Sequence, residues 1–179
     1  EEDQLSHNNR KKTLYNLSMK IFFILLFVLS LNNNVFAAGS DSSSDTSNNS
    51  LYDQAVKLVK RAGKLEKKDK GEKAKKIFSQ AFEKLEKAYS SDKNNPDILN
   101  YMGYTSRKVG NFEKAEKFYL KGLSLEPNHN GINEYLGELY VQTNRIDKAN
   151  ERLAVLKNCN CEEYQDLELI IKTKGTKIY

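Results

Sequence analysis

Part of this chain repeats its apolar and small residues at an interval of 34 positions. Ile98, Tyr101, Gly103, Lys114 and Ala115 recur as Ile132, Tyr135, Gly137, Lys148 and Ala149. Met102, Phe112 and Glu113 are matched by Leu136, Ile146 and Asp147. A unit this short cannot bury its own apolar face, so copies must stack and share one continuous core. Within each copy the apolar residues fall at helical spacing. Leu99, Met102 and Gly103 share one side of a first helix, and Phe112, Ala115, Phe118, Tyr119 and Gly122 line a second that ends before Pro127.

The pattern predicts an all-α chain with helices over 51–65, 72–90, 97–109, 112–124, 132–142, 146–157 and 162–172. These form three helix pairs and a last helix that caps the open apolar end of the third, through Tyr164, Leu167, Ile170 and Ile171. Small residues at fixed places have a mechanical role. Gly103, Ala115, Gly122, Gly137 and Ala149 are the expected packing positions, where two helices approach closely.

Residues 96–129 resemble the tetratricopeptide repeat (TPR) family: a large residue, a Leu-Gly-like pair, a turn glycine, an alanine, an aromatic and a terminal proline. Residues 130–161 fit through Leu136, Gly137, Tyr140 and Ala149, and depart at Leu156 and Cys161, where the family carries a small residue and proline. Residues 51–95 form an atypical repeat. They fit only in the second half, where Ala81, Leu85 and Ala88 stand 34 before Ala115, Tyr119 and Gly122. Residues 162–179 are the capping helix and tail of a domain that spans 51–179. The run from Asn100 through Asn133 to Cys161 is also similar to small exported TPR proteins of alphaproteobacteria.

That resemblance implies a short α-solenoid whose concave side receives a peptide or a partner's helix. In the family's geometry the groove is lined by the side of each first helix that faces away from its partner. Here those positions are Asn100, Tyr104, Arg107 and Lys108, then Glu134, Glu138 and Val141. They would set a basic, amide-bearing wall beside an acidic one; an ordinary solvated face is the alternative.

The first fifty residues read differently. Met19 and Lys20 precede an apolar run, 21–31, broken only by Ser30 and followed by three asparagines and the segment Val35, Phe36, Ala37, Ala38. A spanning helix needs roughly 20 apolar residues, so 19–37 read as a signal peptide cleaved after Ala37, with an uncleaved membrane anchor as the alternative. Residues 1–18 read as an upstream extension or a basic leader, and 38–50 as a disordered linker. The expected location is the periplasm or another exported compartment.

Removing residues 1–37 takes four of the 29 basic and three of the 24 acidic side chains, leaving a balance of +4. That argues against a nucleic-acid partner. The lysines of 57–76 are the one basic concentration, but Glu66, Asp69 and Glu72 interleave with them, so a solvated face is expected there rather than an anion-binding patch. His129 has no nucleophile in a recognisable motif near it, and no phosphate loop or metal-binding motif occurs, so no catalytic residue, cofactor or metal is expected. Cys159 and Cys161 form the one unusual pair: a disulfide, two free thiols, or half of a metal site. Three functions follow: a scaffold for another polypeptide, a thiol- or metal-handling protein, or a self-associating assembly piece.

Overall fold

The computed structural model describes residues 44–176. The readings of 1–18, of 19–37 and of the first part of the linker lie outside those residues. Seven helices follow one another: α1 (Ser44–Glu66), α2 (Gly71–Ser91), α3 (Pro96–Lys108), α4 (Phe112–Leu125), α5 (Asn130–Gln142), α6 (Ile146–Leu156) and α7 (Glu162–Lys172). The fold is an all-α solenoid of three TPR-like helix pairs with a trailing helix. α1 begins at Ser44, before the expected start at 51, and sets its apolar face at Leu51, Ala55, Val59 and Ala62.

Local chemistry sets the boundaries. Asn95 accepts from the backbone N–H of Ile98 at 3.3 Å, with Pro96 at the first helical position. Asn111 caps α4 by accepting from Lys114 N–H at 3.2 Å. The turn between α3 and α4 reverses at Gly110, φ 89°, where Asn111 N–H reaches back to the Ser106 carbonyl. Thirty-four residues on, Asn144 takes the same left-handed role at φ 57°, and Arg145 N–H reaches the Tyr140 carbonyl. Asparagine tolerates that conformation better than other side chains, so the turn survives without glycine.

Within each pair the helices pack antiparallel, α1 on α2, α3 on α4 and α5 on α6, while α7 lies on α5 and α6. The backbones of the odd-numbered helices also approach one another in sequence, α1 with α3, α3 with α5 and α5 with α7, whereas α2 and α4 meet through side chains, as Phe82 does Phe118 at 5.9 Å between ring centroids. The closer backbone approach on that side puts the odd helices on the inside of the curve.

Two apolar clusters fill the interior. One joins Ala55, Ala62, Phe78, Leu85 and Ala88 to Ile98 and Met102, and the other joins Tyr119, Ile132, Leu136 and Leu139 to Ile170. Leu167 and Ile170 of α7 are fully buried, closing the last pair. Gly103 accepts the ring of Tyr119, and Gly122 accepts Ile132 of the next pair. Gly137 receives Leu167 of α7 rather than a side chain of α6.

Candidate functional site

The inner side of α3 and α5 carries the residues that the repeat assigns to a groove, and they are enclosed rather than solvated. Asn100, Arg107, Glu134, Glu138 and Val141 are each no more than 7% exposed, while Tyr104 and Lys108 are half-buried. An ordinary solvated face does not describe them.

The two walls are bridged. Arg107 of α3 meets Glu138 of α5 at 2.5 Å, with both side chains nearly sealed from water. Burial works against the Arg107 charge, but Glu138 and the neighbouring tyrosines outweigh it, and its pKa stands above its usual range. Lys108 reaches the other way, to Glu66 at the end of α1, at 2.6 Å. Three inner helices are thus tied by two ion pairs of opposite reach. Removing one partner of the buried pair would leave a charge without compensation, which is costly.

Aromatic rings fill the space around these pairs. Tyr104 packs against Phe78 of α2 at 5.8 Å and against Tyr135 of α5 at 4.9 Å between ring centroids. The Arg107 guanidinium lies 5.5 Å from the Tyr104 ring centre and 5.7 Å from that of Tyr135, within cation–π range. Burial pushes the Tyr104 hydroxyl up to about 12, so it stays a hydrogen-bond donor at any ordinary pH.

Two polar groups of the inner face stand apart from this pairing. The Asn100 Oδ1 is buried and has no hydrogen-bond partner. Glu134 is pushed up to about 9, first by burial and then by Glu138, with Asp166 and Glu163 of α7 adding to the effect. At neutral pH it is therefore protonated, able to donate as well as accept. Sequence reasoning missed Glu66, Tyr135, Glu163 and Asp166 as members of this face. Tyr135 was visible as the repeat of Tyr101, but its place beside the Tyr104 ring was not.

The cysteines lie elsewhere, in the connection between α6 and α7, with Sγ atoms at bonding distance and Cα atoms 5.2 Å apart. Among the described residues no group of three or more His, Cys, Asp or Glu is arranged to hold a metal. His129 caps α5, accepting from Ile132 N–H through Nδ1 at 3.2 Å, while Nε2 lies 3.2 Å from Asp97. Its place is at a helix terminus. Among the described residues no helix is long and apolar enough to cross a membrane.

Residues 96–129 match the tetratricopeptide repeat family. Among solved structures, the chain is similar to the type III secretion translocator chaperone SycD of Yersinia enterocolitica, at 16% identity over 68% of this chain and 90% of that one, TM-score 0.47. SycD in complex with a peptide of the translocator YopD is similar at 17% identity over 69% and 90%, TM-score 0.45. The second TPR of Spaghetti (RPAP3), bound to the HSP90 peptide SRMEEVD, is similar at 16% over 59% and 91%, TM-score 0.38. No curated protein matches the sequence. At these identities and scores, nothing about those ligands transfers to this chain.

Proposed function

We propose that this chain is an exported, non-catalytic scaffold that holds another polypeptide along the inner side of α3 and α5. The observation that carries the reading is Asn100, whose Oδ1 is buried on that side without a partner. An unsatisfied buried acceptor is costly, by roughly 1 to 3 kcal/mol. A backbone N–H of a bound segment would remove that cost, and the neighbouring Tyr104 and Tyr135 rings would supply the apolar contact. Export rests on residues 19–37, whose short apolar run ends at the small residues Ala37 and Ala38. In that setting Cys159 and Cys161 would persist as a disulfide, which intact mass with and without reductant decides.

The test is affinity capture with crosslinking from envelope extract, comparing the full chain with Asn100→Ala and Tyr104→Phe. Asn100→Ala should weaken capture of the crosslinked polypeptide by about 1 to 3 kcal/mol. It should not lower the melting temperature. Tyr104→Phe keeps the rings that hold Phe78 and Tyr135, so it isolates the hydroxyl from the packing. Capture that Asn100→Ala leaves unchanged would remove the site from this face.

A further inference from the structure

The charge that looks interleaved along residues 57–76 is sorted in three dimensions. Those 20 positions hold ten Lys or Arg and three acids, and every one of the ten cations is exposed. On α1, Lys57, Lys60, Arg61 and Lys64 follow helical spacing on the side opposite buried Ala55, Val59 and Ala62. The turn at 67–70 adds three lysines and the start of α2 three more. The three acids offset only a small part of this charge. Glu66 is turned inward to Lys108 at 2.6 Å, Glu72 pairs with Lys75 at 3.0 Å, and Asp69 lies in the turn between Lys68 and Lys70. The outward side of α1 is therefore cationic without interruption from Lys57 to Lys64.

We propose that this outward face of the first helix pair docks on an anionic lipid surface. Two features select a membrane over other anions. Among the described residues the large apolar side chains that stand exposed, Val109, Phe112, Leu120, Leu125 and Val155, all lie outside 57–76, so the patch lacks the apolar anchors on which protein interfaces depend. Nine of the ten cations are lysine, a residue depleted from protein interfaces. Lysine is a mobile point charge that suits a layer of headgroups, whereas fixed phosphates are better forked by arginine and bases are better stacked on aromatics. An array of this size adds attraction with every side chain that reaches the surface.

The test is co-sedimentation of the full chain with vesicles of phosphatidylcholine alone and of phosphatidylcholine mixed with phosphatidylglycerol. The reading is the excess binding to the mixed vesicles, which cancels any uptake through the apolar run 21–31. That excess should fall as salt is raised. Each surface lysine contributes about fivefold, so Lys57→Gln, Lys60→Gln and Lys64→Gln together should lower it on the order of 100-fold. The same number of changes at Lys117, Lys157 and Lys172 should leave it nearly intact, and circular dichroism checks that both variants keep their helices. Equal binding to the two vesicles would overturn the proposal. So would an equal loss in the second variant, or tighter binding of duplex DNA than of mixed vesicles at the same salt.

Discussion

The first and second helix pairs bring their helices together in different ways. In the first pair the fully buried small residues are alanines, Ala55 and Ala62 on α1 and Ala74, Ala81 and Ala88 on α2. Its glycines take no part, since a side chain added at Gly63 or Gly71 would meet nothing within 4 Å. In the second pair Gly103 is filled by Tyr119, and between units Gly122 takes Ile132 and Gly137 takes Leu167. An alanine seam asks only that its positions stay small, so its surroundings can drift and the repeat can fade. A glycine and its neighbour tie two positions together, which is why the 34-residue period is legible there. Charge divides along the same line. The first pair carries its cations outward into water, whereas the third buries Glu134 and Glu138.

The strongest way to break the comparison is to empty equivalent places in the two seams. Tyr119 and Leu85 stand 34 residues apart and are both fully buried. Tyr119→Ala should cost about 3 to 5 kcal/mol, because the ring is large and nothing at Gly103 can move in to replace it. Leu85→Ala should cost about 2 to 4 kcal/mol, since a smaller side chain leaves a smaller cavity. Urea denaturation of the two variants measures both. Equal losses would mean that the two seams do not differ energetically.

Stability should respond to pH through Glu134. Glu134 rises from an ordinary 4.5 to about 9 in the folded chain. Between those values the folded state keeps a proton that the unfolded state has released, so stability should fall as pH rises from about 4.5 to 9. Below that window both states are protonated and the group contributes no slope. The limiting slope is about 1.4 kcal/mol per pH unit for a single such group. Glu134→Gln keeps the shape of the neutral acid and cannot ionise, so its stability should be flatter with pH across that window. Parallel profiles for the two proteins between pH 6 and 8, measured by urea denaturation, would sink the assignment.

Glycine replacements sharpen the contrast on the repeat side. A Cβ at position 103 would lie 2.4 to 2.8 Å from three atoms of the Tyr119 ring. That ring is fully buried and rigid, so Gly103→Ala should destabilise by about 1 to 3 kcal/mol despite the better helix propensity of alanine. A Cβ at position 137 would lie 2.5 and 2.6 Å from the two terminal carbons of Leu167. Leucine can change rotamer, and α7 packs only against α5 and α6, so Gly137→Ala should cost less. Thermal melts of the pair give the order directly.

How much of this was legible in the residues depends on whether a feature recurs. The seven helices were, because apolar spacing and helix caps are local signals. Glu134 and Glu138 were separable as an acidic stripe for the same reason, being four residues apart on one helix. Pairing between units was not. Glu66 and Lys108 are 42 residues apart, off the 34-residue period, and nothing local links them. The enclosure of Asn100 and Arg107 was equally hidden, since a polar residue at helical spacing reads as solvated until its neighbours are known. Leu167 at Gly137 escaped for a further reason. The period puts Leu153 where Tyr119 stands, yet the last helix supplies the side chain instead.

The smallest expected effect is the one that tests the alanine seam most directly. Gly63 lies inside α1, and its backbone is not in the left-handed region where an L side chain would be strained. An added methyl there would point into open space. Glycine in a helix interior is worse than alanine by roughly 0.5 to 1 kcal/mol, because its unfolded chain has more freedom to lose. Gly63→Ala should therefore stabilise the protein by about that amount, opposite in sign to Gly103→Ala. Both replacements add one methyl to a helix, so the propensity gain is common to them. Any difference in sign must come from what the methyl meets. A loss at Gly63, read by urea denaturation, would mean that α1 and α2 approach more closely than their alanines require. The first pair would then depend on a glycine contact as the second does.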